Sequence, residues 1–117
     1  MTAAVTIYHN PGCSKSRQTM DLLEQKNIAP TVVKYLDTPP DAATLSKILA
    51  MLGLTPRELM RKGETGYTEL KLDNPELSTD QLIQAMVENP HLIERPIVIT
   101  GNKAAIGRPP AQVLDIL

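Results

Sequence analysis

The single cysteine of this chain, Cys13, lies in the stretch HNPGCSKSR, residues 9–17, between a proline-glycine turn and the start of a helical spacing of apolar residues. A cysteine at the first turn of a helix meets backbone N–H groups that have no intrahelical partner, together with about half a positive charge from the helix dipole. Both favour thiolate. An ordinary thiol with pKa about 8.5 is only ~3 % ionised at pH 7; lowering the pKa to about 6.5 makes it roughly three-quarters ionised for about 2.7 kcal/mol. Lys15 and Arg17 add positive charge close by in sequence. The same N–H groups can hold a small tetrahedral anion. The competing reading is an inert, small apolar cysteine, and the NPG turn before it and the SKSR run after it argue against that. His9 is either a base for the thiol or a hydrogen-bonded structural histidine. There is no zinc-type ligand spacing and no second cysteine for a Cys-x-x-Cys redox pair, so no metal is expected and Cys13 should rest as a free thiol.

Three further basic residues stand beside prolines or glycines: Arg61 in LMRKG, Arg95 in IERPIVIT and Arg108 in IGRPPAQV. Taken singly, each reads as a solvated surface arginine. A guanidinium is nonetheless the side chain best matched to a tetrahedral oxyanion, because it offers paired N–H donors.

The elements that would position these groups are those of one domain. The 117 residues are 42 % hydrophobic and 21 % charged, which suits one folded core and excludes intrinsic disorder. With no Trp or Phe, the aromatic supply is Tyr8, Tyr35 and Tyr67, too little for base-stacking platforms. Net charge is −1, so no global field draws the protein to nucleic acid or anionic lipid. The absence of a bilayer-length apolar run and of a secretory leader pattern leads to an expected cytoplasmic location.

AVTIYH, residues 4–9, reads as a short buried strand broken by NPG, and a helix follows from Ser14 with Met20, Leu22 and Leu23 on its apolar face. PTVVKYL reads as a second strand. A helix then runs from behind Pro39-Pro40 to Gly53. TPRELMRKGETGYTEL is helical in its first half and otherwise an exposed connection, and LSTDQLIQAMVENPHLI is a helix capped by Ser78 or Thr79. RPIVITGNKAAIG reads as a hairpin turning at Gly101-Asn102, and RPPAQVLDIL as a last helix. The order predicts an α/β fold with a mixed sheet flanked by helices.

At this point the chain resembles the glutaredoxin-dependent arsenate reductase family of thioredoxin-like proteins. Five blocks carry the resemblance in order: TIYHNPGCSKSR, YLDTPP, LMRKGETGYTELKL, NPHLIERPIVIT and GRPPAQVLDIL. It implies a single thioredoxin-like domain over 1–117, with a four-stranded mixed sheet and a helical insertion of about 41–90 between the second and third strands. It also implies roles. Cys13 matches the nucleophile, Arg61, Arg95 and Arg108 the arginines that bind arsenate, and Pro96 a cis-proline facing the thiol. His9 and Asn10 match the lead-in of the cysteine motif, and Ser16 and Arg17 its continuation.

The implied reaction is thiolate attack on arsenate, reduction of the adduct by glutathione as co-substrate, and clearance of the mixed disulfide by glutaredoxin. No bound cofactor, nucleic acid or membrane is implied, and a monomer is expected. After the nucleophile, SKS replaces the small GTS-like run of the well-studied reductases, and the chain stops at Leu117, short of their tail. Both features resemble a related short housekeeping branch. A general glutathione-dependent thiol-disulfide reductase and a non-enzymatic thioredoxin-like regulatory protein are the alternatives.

Overall fold

Buried and half-buried side chains alternate along Val5-Thr6-Ile7-Tyr8, the period of a strand with one face in a core, and these residues form β1 (Val5–Tyr8). In the computed structural model, which describes residues 4–117, the chain divides into two compact units. One runs to Thr38 and resumes at Arg95–Leu117; the other is the continuous segment Pro39–Glu94.

The first unit contains β1, α1 (Ser14–Gln25), β2 (Thr31–Val33), β3 (Ile97–Thr100), β4 (Lys103–Ile106) and a terminal 3-10 helix (Pro110–Ile116). The four strands make one mixed sheet in the order β2-β1-β3-β4, with β1 and β2 parallel and the other two pairings antiparallel. Its core gathers Val5, Ile7, Leu23, Val98, Ala105 and Val113, with Met20, Leu22, Ile28 and Ile116 packed around them. Each fully buried aliphatic side chain here contributes about 1.5–3 kcal/mol, so this cluster is what fastens α1 and the terminal helix to the sheet. The hairpin turns at Gly101, whose φ of 59° is left-handed. α1 ends in a reversal in which Asn27 N–H donates to Glu24 O and Ile28 N–H to Leu23 O, with Asn27 at φ 59°.

The inserted unit is helical: α2 (Ala42–Leu52), α3 (Pro56–Leu59), α4 (Thr65–Glu69), α5 (Thr79–Glu88) and a 3-10 turn (Pro90–Leu92). α2 and α3 pack on α5, and Leu45, Ile48, Leu49, Leu59, Leu82, Ile83 and Met86 of these helices are buried. Local chemistry sets the boundaries. Asp41 accepts from Thr44 N–H at 2.7 Å, and Thr55-Glu58 and Ser78-Gln81 each close a reciprocal capping box. Arg61 N–H donates to Leu92 O at 2.7 Å and Glu94 N–H to Leu59 O at 2.8 Å, around the bridge Met60–Ile93.

Several expectations need correction. β2 is shorter than PTVVKYL, because Lys34 O accepts from the N–H groups of Asp37 and Thr38 and folds the end of that stretch into a turn. TPRELMRKGETGYTEL is not simply exposed: Leu59 and Met60 are buried, and a further short helix, α4, follows Glu64. Arg57 helps hold the segment after α4, donating from Nε to Leu72 O at 3.0 Å and from Nη2 to Asn74 O. The last helix is of the tighter 3-10 type.

Gly107 sets a sharp steric limit. A Cβ there would lie 2.4 Å from Thr19 Oγ1 and 2.8 Å from Pro96 Cγ. Gly107→Ala is expected to destabilise the fold by about 1–3 kcal/mol, the usual cost of overpacking, read as a lower midpoint in urea unfolding.

Candidate active site

Sheet register dictates which loop ends meet. β1 pairs with β3 from Val5–Thr100 to Tyr8–Ile97, and β3 pairs with β4 from Thr100–Lys103 to Ile97–Ile106. Counting on past the last pairs sets Asn10 level with Arg95, and Arg95 level with Arg108. The bonds follow that line: Gly107 N–H donates to Pro96 O at 2.9 Å, and Arg108 Nε donates to Arg95 O at 2.7 Å. Two arginines 13 residues apart therefore stand side by side on one side of the end of β1, from which the NPG turn leads to Cys13. Both the Arg95–Pro96 and the Arg108–Pro109 peptide bonds are cis. Pro96 matched a cis-proline position in the sequence; nothing in the sequence singled out Pro109.

Cys13 is the N-cap of α1, with extended backbone (φ −102°, ψ 126°), and is 8 % exposed. Its own N–H donates to Asn10 O at 3.0 Å, closing the turn, while its carbonyl accepts the first helical bond from Arg17 N–H at 3.0 Å. Arg108 Nη2 stands 3.6 Å from Sγ. Burial pushes the thiol's pKa up. The Ser16 N–H, the Arg95 guanidinium and the Lys15 N–H together outweigh that and leave it below the ordinary value. Burial works against the Arg95 charge, and the neighbouring Cys13 and Tyr35 outweigh it and hold the guanidinium protonated. The cationic partners of the sulfur are thus Arg95 and Arg108. Lys15 acts through its backbone, and the Arg17 side chain donates from Nη1 to Pro11 O at 2.9 Å.

His9 is buried, and its Nδ1 is 2.7 Å from Ser16 Oγ, which also accepts Asn10 N–H at 3.0 Å. His9 is therefore spent on Ser16, bracing the turn, and Asn10 Oδ1 adds a further brace by accepting Gly12 N–H at 2.9 Å. Burial first, and then the charges of Lys34 and Arg17, lower the His9 pKa and keep the ring neutral.

Arg61 belongs to the inserted unit. There it pairs with Glu64 through Nη1 and with Glu94 through Nε at 3.7 Å. Tyr35 is the site residue that sequence reasoning missed. It is 1 % exposed and favours the Arg95 charge, and its only signal was a lone tyrosine at the end of a strand-like run. Among the described residues, no group of three His, Cys, Asp or Glu side chains could hold a metal ion, and no helix is long and apolar enough to cross a membrane.

A mixed β2-β1-β3-β4 sheet with a cysteine capping the helix after β1 defines a thioredoxin-like α/β protein. Within that class the chain belongs to the ArsC family, which it matches over residues 8–116. It is 58 % identical over 118 residues to the uncharacterized protein YfgD of Escherichia coli K12, covering 100 % of this chain and 99 % of that one. It is 50 % identical over 114 residues to an arsenate reductase of Neisseria meningitidis, covering 97 % of each. Among solved structures, the arsenate reductase from Vibrio cholerae superposes with a TM-score of 0.97 at 52 % identity, over 100 % of both chains.

Two measurements follow from the charges at this site. The pH midpoint of Cys13 alkylation should fall below the ordinary thiol value of about 8.5, and Arg95→Ala should move it upward. An unchanged midpoint in the variant would remove Arg95 from the thiolate's environment. His9 is more reluctant to protonate when folded than when unfolded, so the unfolded chain binds more protons as pH drops below about 6.5 and stability falls. His9→Asn should flatten that loss between pH about 6.5 and 5 in urea titrations.

Proposed function

We propose that this protein reduces arsenate to arsenite, using glutathione as reductant and glutaredoxin to regenerate the enzyme. The observation that carries the reading is the Cys13 sulfur, buried at the mouth of α1 with Arg108 Nη2 at 3.6 Å and Arg95 hydrogen-bonded to it. A nucleophilic thiolate and donors for an oxyanion occupy the same few ångströms. The family membership and the arsenate reductases among its relatives support the choice of oxyanion.

In the first step the Cys13 thiolate attacks the arsenic of arsenate, an As–S bond forms, and a protonated oxygen leaves as water. Arsenic stays at the +5 level. Arg95 and Arg108 neutralise the oxygens of the adduct. Glutathione thiolate then attacks the Cys13 sulfur. The As–S electron pair remains on arsenic, which leaves as arsenite, and the two thiols are left as a mixed disulfide. A glutaredoxin thiol removes the glutathionyl group and returns Cys13 to its reduced state. Ser16 sits where a Cys-x-x-Cys pair would have its second cysteine and is bonded to His9, which fits resolution by an external thiol. The reading carries with it a monomer working in a reducing, glutathione-containing cytoplasm.

Purified protein supplied with arsenate, glutathione and glutaredoxin should release arsenite, and Cys13→Ser should not. Arg95→Ala and Arg108→Ala should each lower kcat/KM by about 10²–10³, the loss typical of one oxyanion donor. A wild-type rate equal to that of Cys13→Ser would end the proposal. If glutathione-disulfide exchange were the only activity and survived both arginine substitutions, a general thiol reductase would take its place.

A further inference from the structure

Counting on along the parallel ladder past Tyr8–Val33, and past the bond that His9 N–H donates to Val33 O at 2.8 Å, sets Tyr35 level with Asn10 on the β2 side of β1. Arg95 is level with Asn10 on the β3 side. Level positions on neighbouring strands carry their side chains on one face, and two strand spacings of about 4.8 Å set the two backbones about 10 Å apart. A tyrosine and an arginine close that gap from its two ends. Tyr35, Cys13 and Arg95 all belong to the sheet-bearing unit. Burial agrees with the ladder: the Tyr35 hydroxyl oxygen and Arg95 Nε are both sealed from solvent. The phenol is also among the neighbours that favour the Arg95 charge. Just beyond it, Lys34 O accepts from Asp37 N–H at 2.9 Å and Thr38 N–H at 3.0 Å, a turn that pins the backbone carrying the ring.

We infer that Tyr35 is a positioning residue of this site, its phenol holding the Arg95 guanidinium at the Cys13 sulfur from across the end of β1. The inference rests on the reading of Cys13 as the working thiolate. An arginine side chain has many rotamers, and a half-buried one turns towards solvent unless a further contact restrains it. Arg108 has its own restraint in the 2.7 Å bond from Nε to Arg95 O. For Arg95 a tyrosine suits the task better than a carboxylate. A phenol is neutral at physiological pH, so its oxygen accepts from a guanidinium without cancelling the positive charge that a thiolate and an oxyanion need. A carboxylate in its place would claim the guanidinium for itself.

The test is the pH dependence of Cys13 alkylation in the full chain, which involves neither arsenate nor glutathione. Tyr35→Phe removes the hydroxyl and keeps the ring, and should raise the pH midpoint by about 0.5, part of the worth of one hydrogen bond. Tyr35→Leu should move it in the same direction, with urea unfolding showing that both variants fold. In an Arg95→Ala background, where the midpoint is already higher, Tyr35→Phe should move it no further. An unchanged midpoint in the folded single variants would overturn the inference. A rise that persists without Arg95 would overturn it too, since Tyr35 would then act on the thiol by another route. Wild-type protein that reduces no arsenate while the variants show these shifts would refute the proposed reaction alone and leave the role of Tyr35 standing.

Discussion

A sulfur anion taken out of water needs positive charge that cannot drift away, and meeting that need organises the sheet-bearing unit. Cys13 is nearly buried, which by itself favours the neutral thiol. N–H groups at the start of α1 and two guanidiniums offset that cost. The guanidiniums are themselves half-buried, so each charge is tolerable only because the other is present. Mobile surface lysines would not suffice, since a long side chain loses much of its interaction to entropy and solvent. Arg95 and Arg108 are instead fixed at the ends of β3 and β4, where the ladder dictates their spacing and Arg108 Nε is tied to Arg95 O.

The close approach of those strand ends to α1 has its own requirements. Gly107 lies where any side chain would strike Thr19 and Pro96. Thr19, fully buried, turns its hydroxyl to Lys15 O one helical turn back, so even this polar group is satisfied within α1. On the other side of the thiol, His9, Ser16 and Asn10 tie the end of β1 to the first turn of α1. A protonated His9 would add a third cation beside Lys34 and Arg17, so its neutral state relieves repulsion as well as desolvation. Catalytic groups and scaffold therefore share the same contacts.

Much of this was legible in the residues. The apolar period after Cys13, the prolines before α2, the glycine after it and the Ser78 cap mark boundaries through local chemistry, and local chemistry survives folding. The hairpin was readable because Gly101-Asn102 separates two β-branched or small-residue runs. What was not legible depends on distant partners. Lys34-Tyr35-Leu36 has strand-forming composition, yet a turn at Lys34 O claims it, and Tyr35 gains its role only by meeting Arg95. Arg17 also donates to Pro11 O, a contact that its place in the sequence did not announce. Arg61 looked like a solvated cation and proves to be paired with Glu64, three residues on, and Glu94. Family resemblance supplied the insertion between β2 and β3, which no local pattern could have announced; the helical segment of the structure spans Pro39–Glu94.

The central claim is that one sulfur and the arginines around it form a single oxyanion-binding, thiol-reactive centre. A crystal structure of the wild-type protein soaked in arsenate without glutathione tests this most directly. The account predicts arsenic bonded to Cys13 Sγ, with its oxygens on the guanidiniums of Arg95 and Arg108. Arsenate bound elsewhere, or seated among those arginines beside an unmodified thiol at every arsenate concentration, would contradict it.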